Sequence, residues 1–393
     1  MHYDVVIVGA GPAGSMAARK LASAGVKVAL VDRDAFPRDK VCGDGVSGQG
    51  VASLQQIGLG HWSEQFLRPG TLRLKSPDGK PLDGHAEPGD DYCYGRLIPR
   101  RLLDEKLVQV AVEAGAKLIE KTQIVAIESS GSRVRVAARA DEMDAHLAVV
   151  CDGSHAPVTR RLGLTRGQSK LLAARQYLTG DIGPADRMEI HFERSVLPYY
   201  CWLFPLGDGR INVGTAVTTA QALAKKVNLR ETLTRFISDP AATDGRLAQA
   251  QPLSPIQGHP LRTQFGKTRT HSERILVAGD AAGLVNHLSG EGIAPAMESG
   301  ELAAQHALRA LTAGDFSAKT LAPYSHALEE RYGADQRAAQ ILQLAMRSPH
   351  LLNRIFRRLR QDRDLALLIG QIIIGAKSPR LALRPTTLLR LMA

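Results

Sequence analysis

The chain has 393 residues, enough for about two to three domains and a large core. Apolar residues make up 44% and charged residues 23%, which excludes a disordered chain, a fibre and a disulfide miniprotein. The net charge is +11, and +8 of it falls in residues 347–393, where nine Arg and one Lys face two Asp.

The first predicted element is a short buried parallel strand at 4–8, Asp-Val-Val-Ile-Val. Gly9-Ala10-Gly11-Pro12-Ala13-Gly14 follows, then a helix over 15–24 closed by Gly25. A second strand over 26–31 ends at Asp32-Arg33. This is a β-α-β unit of about thirty residues. Gly9 permits the tight turn, Gly11 lets backbone reach a pyrophosphate, and Gly14 lets helix and strand pack closely. The helix N-terminus offers amide donors and partial positive charge to phosphates. Asp32 stands where a carboxylate accepts hydrogen bonds from an adenosine ribose. The pattern predicts a dinucleotide site that includes Ala13 and Arg33.

Residues 35–50 are glycine-rich and irregular. A helix is predicted over 100–114, with Leu103, Leu107, Val110 and Ala111 on one face and Gly115 as its cap. Strands are predicted near 117–127, 132–138 and 146–151. Antiparallel strands are predicted at 171–180, 187–193, 199–205 and 210–217, the last two joined across Gly207-Asp208-Gly209. A buried strand at 275–278 leads to Asp280, then to Gly290-Glu291-Gly292-Ile293 and a helix over 293–312. The last third reads as helical.

Parallel α/β pieces thus flank an antiparallel insert. The expected fold class is α/β: a Rossmann-like FAD-binding domain interleaved with an antiparallel-sheet substrate domain, plus a helical C-terminal region. The expected boundaries are 1–50, 95–165 and 270–330 for the first, 51–94 and 166–269 for the second, and 331–393 for the basic helical region. FAD is chosen over a nicotinamide cofactor because Asp280 is placed to hold a ribitol hydroxyl. Gly290 and Gly292 let a second helix N-terminus face a phosphate or the isoalloxazine O2. The bland reading of Asp280 is a solvated loop acid.

Cys42, Cys93, Cys151 and Cys201 are far apart, with no Cys-x-x-Cys pair, so neither a metal site nor a disulfide framework is expected. The chain enters its first strand without a basic leader, which predicts a cytoplasmic protein.

These residues resemble the flavoprotein superfamily of aromatic hydroxylases, flavin halogenases and geranylgeranyl reductases, over nearly the whole chain. Val149-Val150-Cys151-Asp152-Gly153 resembles its Asp-Gly motif, with Ala156 where the family has Ser and Thr159 where it has Arg. Arg100 resembles the flavin-contacting Arg, and Ile124 falls where the family places a residue against the adenine. The other reading of Arg100 is a helix-surface pair with Asp104.

Three segments resemble the prenyl reductases in particular. Pro37 to Gly45, with Lys40, Cys42 and Gly43, resembles their Pro-x-x-Lys-x-Cys-Gly loop beside the flavin. Tyr200-Cys201-Trp202-Leu203-Phe204-Pro205 resembles their Tyr-x-Trp-x-Phe-Pro strand. Asn286-His287-Leu288-Ser289-Gly290-Glu291-Gly292 resembles their Asn-Pro-Leu-Thr-Gly-Glu-Gly. The resemblance implies an FAD-dependent reductase of isoprenoid double bonds, with NAD(P)H or ferredoxin as electron donor. Cys42, Tyr200 and Trp202 become the candidate catalytic residues, with the proton coming from a group near Cys42 or Tyr200. Tyr200, Trp202 and Phe204 become substrate-binding, their plainer reading being a core stripe. An isolated alkene is not polarised, so protonating one carbon leaves cation character on the other. Each π face is worth about 0.5–2 kcal/mol to such a cation. A monooxygenase of the same fold and a membrane-associated electron carrier are the alternatives.

In the tail, Leu351, Leu352, Ile355, Phe356 and Leu359 recur at helical spacing between Arg354, Arg357, Arg358 and Arg360. This helix either packs on the core or meets a membrane surface. The expected partners are a hydrophobic small-molecule or lipid substrate and no nucleic acid, the protein acting as a monomer on the membrane's inner face or free of it.

Overall fold

The computed structural model describes residues 2–86, 93–139, 141–166, 169–224 and 226–392. Strand β1 (His2–Val8), helix α1 (Pro12–Ser23) and strand β2 (Val28–Val31) build the predicted β-α-β unit. β1 pairs in parallel with β2 and with Glu142–Val150. The latter pairs in parallel with Ile275–Val277, and β2 with Lys117–Ile119. Val5, Val6 and Ile7 are fully buried, as expected of a strand covered on both faces.

The expected strand over 117–127 is two strands. Lys117–Ile119 joins β2, whereas Ile124–Ser130 pairs with Arg133–Ala138. Between them Lys121 takes a left-handed φ of 53°, and the Thr122 amide bonds the Asp32 carbonyl at 2.8 Å. The chain turns there to satisfy the end of β2. The strand expected from 146 starts at Glu142, because its first residues pair antiparallel with Arg133–Ala138.

Small residues let α1 sit tightly between β1 and the helix Ile293–Ala313. A Cβ on Gly14 would lie 1.8 Å from the Gly9 carbonyl oxygen, and one on Gly300 2.1 Å from that of Ala13.

The second sheet orders its strands Gln251–Pro252, Leu171–Thr179, Arg210–Thr218, Cys201–Pro205, Arg187–His191, Thr71–Lys75 and Pro81–His85. It is antiparallel except where Arg187–His191 runs parallel to Thr71–Lys75. The predicted hairpin is present, with Trp202 opposite Gly214 and left-handed φ at Gly207 and Gly209.

The tail helix Pro349–Leu359 packs on this sheet. Leu352, Phe356 and Leu359 are buried, and Phe356 meets Phe192 edge-on at 5.6 Å. Arg360 is drawn in as well, bonding the Lys80 carbonyl and the Ser76 hydroxyl, each at 2.9 Å. Phe356→Ala is therefore expected to cost about 3–5 kcal/mol, read as a lower midpoint in denaturant unfolding at unchanged slope. Among the described residues no helix is long and apolar enough to cross a membrane.

Candidate functional site

Two cavities meet at Lys40, Val41 and His259. The more polar one encloses about 1080 Å³, its open mouth included, and is lined by Gly9, Gly11, Asp32, Arg33 and Ile124. The other, about 1240 Å³ and mainly apolar, is lined by Cys42, Gly43, Gly45, Arg100, Asp280, Gly292 and Ile293. Tyr200, Trp202 and Phe204 complete its wall. Ala13 and Gly14 line neither cavity and pack inward, Ala13 facing Gly279 and Gly300.

The polar trough follows from the β-α-β unit. Gly9 has φ of 100°, and a Cβ there would meet the Cys151 carbonyl oxygen at 2.3 Å. α1 starts at Gly11 without any side-chain cap, so its first amides remain available to a ligand. Asp32 is held by the amides of Ala10 at 2.7 Å and Asp34 at 3.0 Å, which aims the carboxylate into the trough. Arg33 is more exposed and pairs with Asp34 at 3.4 Å.

At the junction Asp280, its side chain 11% exposed, lies between Lys40 at 3.5 Å and the Ser154 hydroxyl at 2.8 Å. Burial works against its charge, but Lys40 and Ser154 hold the carboxyl below its usual range. The solvated-loop reading of Asp280 is thereby set aside. Burial also keeps His259 neutral well below its ordinary range, and its buried Nε2 has no hydrogen-bond partner among the described residues. The helix Ile293–Ala313 follows Gly292, and the Glu291 carboxyl takes its Ala294 amide at 2.8 Å. Arg100 makes a two-pronged bond to Asp104 at 2.7 and 2.8 Å, so the expected pair exists, but buried at the cavity wall rather than on a helix surface.

FAD fits this channel. The uncapped N-terminus of α1, a carboxylate at each end and an imidazole nitrogen without a partner among the described residues match a long ligand with phosphates and hydroxyls. Gly9, Gly11, Asp32, Arg33 and Ile124 would hold the adenosine and pyrophosphate. Asp280, Arg100, Gly292 and Ile293 would hold the ribityl and flavin end.

Asp44 was not singled out from sequence, yet it organises the loop over 42–45. It is fully buried, with φ of 63°. Its carboxyl group accepts bonds from the Tyr177 hydroxyl, from Asn212 Nδ2 at 2.8 Å and from the Arg100 amide at 3.1 Å. Asn212 also donates to the Cys42 carbonyl at 2.8 Å and accepts from Trp202 Nε1 at 3.0 Å. Loop and aromatic strand are thus tied through one amide. Burial raises the Cys42 thiol pKa, with Arg100 pulling the other way. The indole packs against Gly214, where a Cβ would meet Cζ2 at 2.1 Å. The rings of Tyr200, Trp202 and Phe204 follow at 6.4 and 6.2 Å. The Tyr200 hydroxyl donates to the Ser289 carbonyl.

Comparison with known proteins agrees with this geometry. The FAD binding domain family matches residues 2–332. The chain is 32% identical to a menaquinone reductase of Mycobacterium tuberculosis over 89% of its length and 85% of that protein's. It is 30% identical to digeranylgeranylglycerophospholipid reductase 1 of Methanosphaera stadtmanae, over 82% and 79% of the two chains. A geranylgeranyl bacteriochlorophyll reductase-like protein from Thermoplasma acidophilum shares the fold, with a TM-score of 0.83, 22% identity and coverage of 97% and 98%. A flavin-dependent brominase shares it too, at a TM-score of 0.76 and 18% identity over 100% of each chain, which speaks for the fold alone. The chain therefore belongs to the FAD binding domain family and, within it, to the geranylgeranyl reductases, FAD-dependent oxidoreductases.

Proposed function

We propose that the protein reduces carbon–carbon double bonds in an isoprenoid chain of geranylgeranyl type, carried by a lipid, quinone or pigment precursor. The observation that carries the reading is the stripe Tyr200, Trp202 and Phe204, set against the Cys42–Gly45 loop in an apolar cavity continuous with the dinucleotide trough. Reduced flavin bound there would supply the hydride. Leu171, Ala173, Met188, Ile190 and Leu261 would take the prenyl chain, since burying each methylene is worth about 0.8 kcal/mol. Trp202 and Tyr200 would face the carbon that gains positive character. Cys42, on the loop Asn212 anchors, would meet the reacting groups. The electron donor is NAD(P)H or ferredoxin.

Mass spectrometry of the product, with and without O2, tests the reading. The expected product gains two hydrogens per bond and needs no O2. A product carrying an added oxygen would identify a monooxygenase.

We also propose that the substrate is taken from a membrane surface. Leu351 is exposed on the tail helix, and Arg354 and Arg357 are exposed on the same helix. Each basic residue near anionic lipid adds about 1 kcal/mol. Because Phe356 and Leu352 belong to the core, point substitutions are the suitable test rather than removal of the tail. Arg354→Glu with Arg357→Glu is expected to weaken flotation with anionic vesicles at least about tenfold. Unchanged flotation would refute the idea.

A further inference from the structure

We infer that Glu291 is the catalytic acid of this reaction, passing a proton from an outer polar cleft to the alkene carbon in the apolar cavity. The inference rests on the reductase reading above. Glu291 stands just before the helix Ile293–Ala313 and lines both the apolar cavity and a separate cleft of about 450 Å³, its open mouth included. Gln49, Asp335 and Lys377 also line that cleft. Glu291 is thus a wall residue shared by a polar compartment and an apolar one. Its Oε1 accepts from the Ala294 amide at 2.8 Å, the Ser47 hydroxyl lies beside it, and among the described residues it makes no ion pair. A Cβ on Gly375 would lie 3.4 Å from Glu291 Cβ, so the tail closes over the side chain.

The other acids of the cavity are committed. The hydroxyls of Tyr200 and Tyr199 donate to the carbonyls of Ser289 and His287, and burial raises the pKa of both. Asp280 is ionised beside Lys40, and His259 is neutral. Burial raises the Cys42 thiol. Glu291 is different: burial pushes its carboxyl up to about 7, so it carries a proton that it can give near neutral pH. Asp280 and Glu298 add to that rise, while Arg331 faces Glu298 at 2.9 Å and Asp335 binds the Ser378 hydroxyl. Lys377 from the tail, and Lys40 and Arg100 across the cavity, supply the positive charge in the surroundings. Glu291 also answers the requirement for a group near Cys42 and Tyr200. It stands two residues after Ser289, which Tyr200 binds, and it touches Ser47, two residues past the Cys42–Gly45 loop.

In the step, the carboxyl O–H bond breaks and a C–H bond forms on one alkene carbon. Reduced flavin, when bound, would supply the hydride to the other carbon, so that the alkene would be reduced and the flavin oxidised. The carboxylate recovers its proton from water in the outer cleft.

The test compares Glu291→Gln and Glu291→Asp with the wild type, all loaded with FAD and reduced by dithionite. Glu291→Gln is expected to bind FAD normally and to slow alkene reduction at least about 100-fold. The decline of the wild-type rate above pH about 7 should vanish in Glu291→Gln and return in Glu291→Asp. A second readout needs no turnover. The native carboxyl keeps its proton where the unfolded chain has lost it, so the flavin-free wild type should lose stability relative to Glu291→Gln as pH rises from 4.5 to about 7. A Glu291→Gln enzyme with wild-type rate, or a slow one that retains the wild-type alkaline decline, overturns the inference. A wild type that reduces no prenyl chain overturns the reductase reading itself, before any variant is compared.

Discussion

Trp202→Ala is expected to keep its FAD and to lose alkene reduction by about 30-fold or more. The indole does not line the trough that would hold the adenosine and pyrophosphate, so the greater part of the cofactor's contacts should hold. Its loss removes a π face worth about 0.5–2 kcal/mol to a developing cation, and each 1.36 kcal/mol is tenfold in rate. It also removes the Nε1 bond to Asn212, whose amide fixes the carbonyl of Cys42 and the carboxyl group of Asp44. Two effects thus fall on the same step. Trp202→Phe keeps a ring over Gly214 and should recover most of the rate. Equilibrium dialysis for FAD, beside product formation, separates the possibilities. Full turnover in Trp202→Ala would remove the assigned role.

Gly11→Val is expected to yield a folded, colourless protein with FAD affinity lowered at least about 100-fold, or about 2.7 kcal/mol. Gly11 has φ of −75° and ψ of −172°, which any residue adopts. A Cβ there meets only Arg38 Nη2, at 3.8 Å. The protein therefore tolerates the side chain, while the place where a pyrophosphate approaches the α1 amides does not. Gly14→Val is the contrasting case. Its Cβ would sit 1.8 Å from the Gly9 carbonyl oxygen, so the fold itself should fail. Circular dichroism with flavin absorbance tells the two apart. A Gly11→Val protein that remains yellow would contradict the phosphate assignment.

The parallel unit and the Trp202 hairpin were legible because their determinants are local. Gly9, Gly11 and Gly14 act within one turn, and period-two alternation places Tyr200, Trp202 and Phe204 on one face. The hairpin Thr71–Lys75 with Pro81–His85 carried a readable signal too, alternating leucines before Pro77-Asp78-Gly79, but was not assigned. The break at Lys121 was hidden, because it is imposed by the Asp32 carbonyl of a distant strand. Asp44 was hidden for the same reason. Its partners Tyr177, Asn212 and Arg100 arrive from three other elements, and only its place between two glycines hinted at the left-handed backbone. The tail helix showed its apolar stripe in sequence, but Phe192, against which Phe356 packs, directly follows the strand Arg187–His191 of the second sheet.

The most direct measurement is an anaerobic single turnover. Protein carrying reduced FAD is mixed with a geranylgeranyl-bearing lipid or quinone, while flavin colour and product mass are followed together. The account predicts that yellow returns at the rate at which product heavier by two hydrogens appears, in equal amounts. Colour that returns without any saturated bond in the product would contradict it.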